Sequence, residues 1–324
     1  MSCVLPDPFP PPWASEWEED AEWGLAATLV LNGVRQTFRW IQPGTFLMGS
    51  PEREPLRDPW REIQHEVTLT RGYWLADTAC TQSLWQAVMG DNPSQFNDDP
   101  TLPVETVSWN DVQTFLDRLN AQVPGLDAGL PSEAQWEYAC RAGTTTPFSF
   151  GEHIRPVQVN YNRNIYYAGG KKGRNRESTV PVKSLPPNPW GLYEMHGNVW
   201  EWCADWFSDY PPGPQTDPSG PPEGVLRVLR GGSWDANGQF CRAAYRNRFV
   251  PDGRDGFNGG IGFRLAPGQR PGPAGQEAAR GARGASAPRS GVEQAPAERA
   301  GPAAGRAAGE QGTQRSGRKR GKKP

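Results

Sequence analysis

Histidine is scarce in this chain: His65, His153 and His196 stand far apart, and no two have the spacing of metal ligands. The five cysteines (Cys3, Cys80, Cys140, Cys203, Cys241) are odd in number and widely separated, with no Cys-x-x-Cys pair. That pattern excludes a disulfide-stapled scaffold and a zinc ribbon and points to a reduced, cytoplasmic protein. No apolar run approaches the ~20 residues of a membrane span, so no membrane partner is expected. Residues 1–23 are acidic and Pro-rich and lack the basic and then apolar stretches of a secretory signal. From Pro267 onward there is no aromatic residue at all. Such a stretch cannot bury enough apolar surface to offset the entropy of ordering, so it is expected to be disordered.

The 324 residues could form two average domains, but this break in composition argues for one large domain and a tail. The layout is an acidic Pro-rich segment over 1–22, a folded domain over 23–266 and a basic tail over 267–324. The chain holds 22 basic and 32 acidic residues up to Ala266, against 12 and 4 beyond it. A tail ending Arg318-Lys319-Arg320-Gly321-Lys322-Lys323 suits nucleic acid or an acidic partner through counterion release. It equally suits a solubilising role with no dedicated partner.

Within the domain, Thr28–Leu31 and Val34–Trp40 flank Asn32-Gly33, the signature of a two-residue hairpin turn. Gly44–Ser50 and His65–Thr70 read as further strands, and Thr81–Met89 as a helix stopping at Gly90. The clearest helix is Trp109–Asn120: Ser108 can cap it, and Val112, Phe115, Leu116 and Leu119 fall on one face. A second begins at Pro131-Ser132-Glu133, with Gln135 placed for a capping box, an inward face of Trp136, Ala139 and Cys140, and Gly143 as stop. Thr144–Leu265 is rich in Gly, Pro, Asn and aromatics with little periodicity, which is not the pattern of a doubly wound or barrel fold.

Seven segments resemble, in order, those of the formylglycine-generating (sulfatase-modifying factor) family. They are Gly44–Ser50, Pro103–Trp109, Leu130–Ala139, Gly191-Leu192-Tyr193, Gly197–Trp202, Leu229–Trp234 and Gly262-Phe263-Arg264. The resemblance covers roughly residues 23–266. It implies an α+β fold of the irregular C-type-lectin-like kind, with low regular secondary structure. The family's catalysts oxidise a sulfatase cysteine to formylglycine and hold Cu(I) through two cysteines five residues apart, just after Arg-Gly-Gly-Ser.

Those two positions here are Ala236 and Cys241, with Asn237 where a histidine usually follows the first. One thiolate cannot complete a linear Cu(I) site, so copper is not expected and Cys241 reads as a buried small hydrophobe. A related iron-dependent branch takes its metal from a His-rich helical bundle for which this chain has no counterpart. The resemblance also implies a structural Ca²⁺ held by the Asn198 and Glu201 side chains, with the carbonyls of His196, Gly197 and Val199 as further ligands. A second calcium site would use Asn160, but Gly170-Lys171-Lys172-Gly173-Arg174 stands where its acidic partner belongs.

The stretch after Trp234 also resembles the cassette of diversity-generating retroelement variable proteins. Four arginines (Arg242, Arg246, Arg248, Arg254) alternate with residues that codons ending in C can write, Gln239 excepted. By that likeness the binding face consists of Asp235, Ala236, Asn237, Gly238, Phe240, Tyr245, Asn247, Phe249, Val250, Asp255, Phe257 and Asn258. The sequence thus leaves three readings open. The first is a non-catalytic protein binding an unknown protein or small ligand through 235–258. The others are a formylglycine-generating oxidase with an atypical metal site and a regulatory partner acting through its basic tail.

Overall fold

The structure, a computed structural model, describes residues 4–162, 167–168, 175–254 and 258–268. Of the tail expected to be disordered from Pro267, Pro267 and Gly268 belong to the described fold, with the Gly268 N–H bonded to the Leu126 carbonyl (3.1 Å), and residues 269–324 lie outside this set. The fold is α+β with three short helices and three small sheets among the described residues.

The first sheet has the order β1 (Glu16–Asp20), β2 (Gly24–Leu31), β3 (Val34–Ile41), β6 (Tyr73–Ala76), all antiparallel. Its β2–β3 turn is the expected one, with Asn32 and Gly33 both at positive φ (51° and 80°). The acidic segment contributes its edge strand, and Trp13 from the same segment is buried against Phe38 and Trp74. In the second sheet β4 (Gly44–Met48) pairs antiparallel with β5 (His65–Leu69), which runs parallel to the two-residue β8 (Gln215–Thr216). The third holds β7 (Trp200–Trp206), β9 (Arg227–Arg230), β10 (Asn247–Phe249) and β11 (Ile261–Phe263), with β11 parallel to β7.

Helix α1 (Gln82–Met89) is capped by Thr81 and closed by Gly90 in the left-handed region. Helix α2 (Trp109–Gln122) carries a full capping box: Ser108 Oγ accepts from the Asp111 N–H (3.0 Å) and the Asp111 carboxylate accepts from the Ser108 N–H (2.9 Å). Its four apolar residues are buried as their spacing requires, Phe115 stacking on Trp85 (5.2 Å) and meeting Phe263 edge-on (5.3 Å). Helix α3 (Glu133–Arg141) has the Ser132–Gln135 box. It ends at Arg141, two residues before the expected Gly143, because Ala142 itself takes the left-handed conformation (φ 46°) and its N–H bonds back to Tyr138.

One apolar core lies among α1, α2, the first sheet and the third; a second gathers β4, β5, α3 and β7 around Trp136 and Met195. The parts are tied by buried arginines. Arg230 pairs with Glu137 and donates to the carbonyls of Ala243 (2.6 Å) and Tyr245 (2.8 Å). Arg141 reaches Glu137 (2.8 Å) and the Gly49 carbonyl (2.7 Å). Burial works against the Glu137 charge, but Arg141 and Arg230 outweigh it and hold its carboxyl below the usual range. Arg227 lies between the rings of Trp109 (3.8 Å) and Trp206 (3.4 Å).

Arg264 joins β11 to its surroundings. It donates to both Glu201 oxygens (3.0 and 2.8 Å) and to the carbonyls of Ala76 and Tyr193 (both 2.8 Å), and it is fully buried. Removing one partner of such a pair strands a buried charge. Arg264→Met is therefore expected to lose about 3–5 kcal/mol in urea unfolding of the full chain, and Arg264→Met/Glu201→Leu to lose less than the single variant. A double variant as unstable as the sum of the two singles would count against the pairing.

Candidate functional site

The segment of interest leaves β9 at Arg230 and returns as β11. Gly231 and Gly232 turn the chain with φ of 93° and 77°, and a Cβ on Gly232 would lie 2.6 Å from Cys241 Sγ, so this close approach requires glycine. A single 3-10 turn follows at Gly238–Cys241, and then β10 pairs with β9.

Not every residue expected on the binding face is there. Ala236 is buried (7 % exposed), its N–H bonded to Ser233 and its carbonyl to the Asn162 N–H (2.9 Å). Gly238 is buried beneath Tyr167 and Ile154, where a side chain would crowd both. Asp235, Asn237, Phe240, Tyr245, Asn247 and Phe249 are half-buried, while Val250 and Asn258 are exposed. Asn258 Nδ2 donates to Asp235 (2.6 Å), and Phe240 packs on Tyr245 (4.8 Å), which also meets Trp200 (6.0 Å). Asp255 and Phe257 lie outside the described residues.

The arginines of the segment separate into inner and outer members. Arg242 is fully buried and bonds Glu54 (2.6 Å) and Glu62 (2.7 and 2.8 Å), binding the 51–63 loop to this face. Arg246, also buried, makes a two-pronged pair with Glu133 (2.6 and 2.7 Å) and reaches the Arg61 carbonyl (3.2 Å). Arg254 pairs with Asp111 on the surface. The sequence offered no sign of Glu54 and Glu62, whose arginine lies about 180 positions away.

At the position of the copper pair, Ala236 supplies no donor. Cys241 is fully buried with Sγ directed at the Asn237 carbonyl, and burial pushes its thiol up. These residues do not fit a two-thiolate Cu(I) site. Beside them, His196 Nδ1–H donates to the Cys241 carbonyl (2.7 Å), while Nε2 accepts from the Ser149 N–H (3.1 Å). Phe148 and Phe150 meet the ring edge-on. Burial brings the His196 pKa down to about 4, so the ring is neutral and its tautomer is set by its two partners.

The side chains that the resemblance assigned to calcium are otherwise engaged. Glu201 faces the Arg264 guanidinium and also accepts from Trp136 Nε1 (2.7 Å). Asn198, at φ 67°, spans the Val180 backbone, accepting from its N–H (2.9 Å) and donating to its carbonyl (3.1 Å). A carboxylate already neutralised by a buried guanidinium does not fit a dication. Near the proposed second site, Arg176 donates to the carbonyls of Val159 and Pro156. The 170–174 stretch lies outside the described residues, among which no cluster of His, Cys, Asp and Glu suits a metal and no helix is long and apolar enough to cross a membrane.

Comparison with known proteins places these features. The model of the family "Sulfatase-modifying factor enzyme 1-like domain" matches residues 31–268. The formylglycine-generating enzyme of Streptomyces coelicolor is 40% identical over 177 residues, 52% of this chain and 53% of that protein. The inactive C-alpha-formylglycine-generating enzyme 2 of Mus musculus is 31% identical over 189 residues, 57% of this chain and 55% of that protein. The chain thus spans about half the length of each. Among solved structures, Treponema denticola variable protein 1 superposes with a TM-score of 0.61 at 28% identity, covering 76% of this chain and 99% of that one.

Two predictions follow from this geometry. Since the folded-state pKa of His196 lies below its ordinary value of 6.5, the stability it contributes is complete above that pH and is lost as pH falls towards 4. The loss reaches about 2 kcal/mol at about pH 5. Long-range ¹⁵N–¹H correlation at about pH 5.5 should show a neutral ring with Nε2 unprotonated; a doubly protonated ring would refute the assignment. For calcium, excess chelator should leave Tm within about 1 °C and added Ca²⁺ should not raise it. A bound ion at about 100 times its Kd would add about 2.7 kcal/mol.

Proposed function

This chain belongs to the sulfatase-modifying factor enzyme 1-like family, and we propose that within it the chain is a non-catalytic binding protein whose recognition face is built on residues 235–258. The observation carrying this reading is the pair Ala236 and Cys241, one without a donor atom and the other wholly buried. Oxidation of a substrate thiol on copper needs soft thiolate ligands and access for that thiol. A buried thiol held protonated supplies neither.

The remaining features support recognition. The half-buried and exposed side chains of the segment include Asn, Asp, Gln, Arg, Val and aromatic residues on a backbone fixed by buried arginines, and rigid aromatic anchors with adaptable polar neighbours suit a binding face. The relatives' names are compatible with a scaffold separable from its chemistry, one being called inactive and the structural neighbour variable. A diversified face is the sharper form of the reading. It calls for a neighbouring reverse transcriptase and a near-repeat of the codons for Trp234–Phe263. The oxidase reading rests on the 40% identity to the Streptomyces coelicolor enzyme.

The test is Cu(I) titration of the reduced full chain alongside formylglycine formation in a Cys-x-Pro-x-Arg peptide, with Ala236→Cys for comparison. The native chain should show no tight copper site and no product, with any gain confined to the variant. Tight copper binding with turnover in the native chain would overturn the proposal.

A further inference from the structure

Of the four arginines in the recognition segment, Arg242, Arg246 and Arg254 each hold a carboxylate. Arg248 holds none among the described residues. Its half-buried guanidinium lies over the Phe207 ring (4.7 Å), which Arg246 covers as well (4.6 Å). The charged groups in its field are Arg61, Arg246 and Asp58. Arg246 is already neutralised by Glu133, and Asp58 is occupied by Arg61 (3.4 Å) and by the N–H groups of Trp60 (2.9 Å) and Arg61 (3.1 Å). A planar cation is thus fixed on an aromatic platform with no counter-charge of its own, as two-pronged carboxylate recognition requires. Burial and then the like charge of Arg61 push its pKa down, which an arriving anion would relieve.

The residue next to Arg61 is Trp60, 81 % exposed, in a loop that also displays Leu56 at 58 % and Ile63 at 51 %. The loop is fastened from behind by Arg242 to the Leu56 carbonyl (3.0 Å), Arg246 to the Arg61 carbonyl and Arg57 to Ser50 Oγ (3.1 Å). Large apolar side chains displayed on a fixed backbone mark an interaction site. Resting on the binding reading above, we propose that Arg248, Arg61 and Trp60 form the subsite where the recognition face takes a peptide segment of a partner protein bearing a carboxylate beside an apolar side chain. The excess of acidic over basic residues up to Ala266 weighs more heavily against a polyanion such as nucleic acid than against a single carboxylate held by Arg248, and Leu56 and Ile63 offer contacts that aliphatic side chains fill.

The test uses the full chain to select from a displayed random peptide library, then measures Kd for the synthetic winners. Winners should carry Asp or Glu beside an aliphatic or aromatic residue and weaken with added salt. Arg248→Glu and Trp60→Ala should each weaken binding by about tenfold or more with Tm unchanged, and Arg248→Glu should select basic residues instead. Winners blocked by Asn237→Trp or Val250→Trp yet indifferent to Arg248→Glu would overturn this subsite and leave the binding reading standing. Absence of any winner sensitive to either set would overturn both, and tight binding of a single-stranded oligonucleotide in place of peptides would overturn the assigned partner class.

Discussion

The buried guanidinium–carboxylate pair is the interaction on which this fold depends. With little sheet or helix to satisfy the backbone, long loops would leave carbonyls buried without donors, and each such group is costly. A guanidinium offers five donors in one plane, so a single arginine can neutralise a carboxylate and still bond two or three loop carbonyls, which a lysine cannot do in the same geometry. Arg230 does this for the loop after Cys241, Arg264 for Ala76 and Tyr193, and Arg242 for Leu56 and Gln239. Such pairs add little net stability over an apolar core. Their contribution here is to fix where each loop runs.

That division of labour would let the proposed recognition segment be both rigid and permissive. Its path is set by Arg242 and Arg246 below and by the Gly231–Gly232 turn at its start, and none of these anchors belongs to the outward side chains. Asn237 and Val250 would therefore tolerate change with least disturbance to the backbone that carries them, whereas Asn247 accepts from the Arg248 N–H and Asn258 takes a positive φ of 49°. Ala236 and Gly238 belong with the anchors, because the first is buried with its backbone bonded to Ser233 and Asn162 and the second lies against Tyr167 and Ile154.

What the sequence revealed was local. The Asn32-Gly33 turn and the Ser108 and Ser132 caps depend on partners within a few residues, and all three stand where the spacing placed them. The family segments carried the fold: six of the seven overlap a strand or helix of the structure, and Gly191-Leu192-Tyr193 lies in a loop whose Tyr193 carbonyl accepts from Arg264. The site was less legible. Glu201 reads as a cation ligand within Gly-Asn-x-Trp-Glu because nothing in that motif announces Arg264, 63 positions later, as its partner. The cassette likewise treats Ala236 and Gly238 as equivalent to their neighbours, since codon composition carries no burial. Arg248 differs from Arg242 and Arg246 in being half-buried and in having no acidic partner among the described residues, which the folded geometry alone reveals.

The same geometry explains how a copper ligand can be absent without cost to the scaffold. Position 236 is held without its side chain: Asn162 and Ser233 hold Ala236 through its backbone, while His196 holds Cys241 through its carbonyl and Cys241 Sγ reaches the Asn237 carbonyl. A cysteine or an alanine at position 236 would leave those bonds intact, so the first ligand could be lost while the surface above kept its shape. Burial then bears on what remains, since it favours a neutral His196 and a protonated Cys241. On the binding reading proposed above, the surface would keep its shape without the first ligand, because the backbone of the segment is anchored by Arg242 and Arg246.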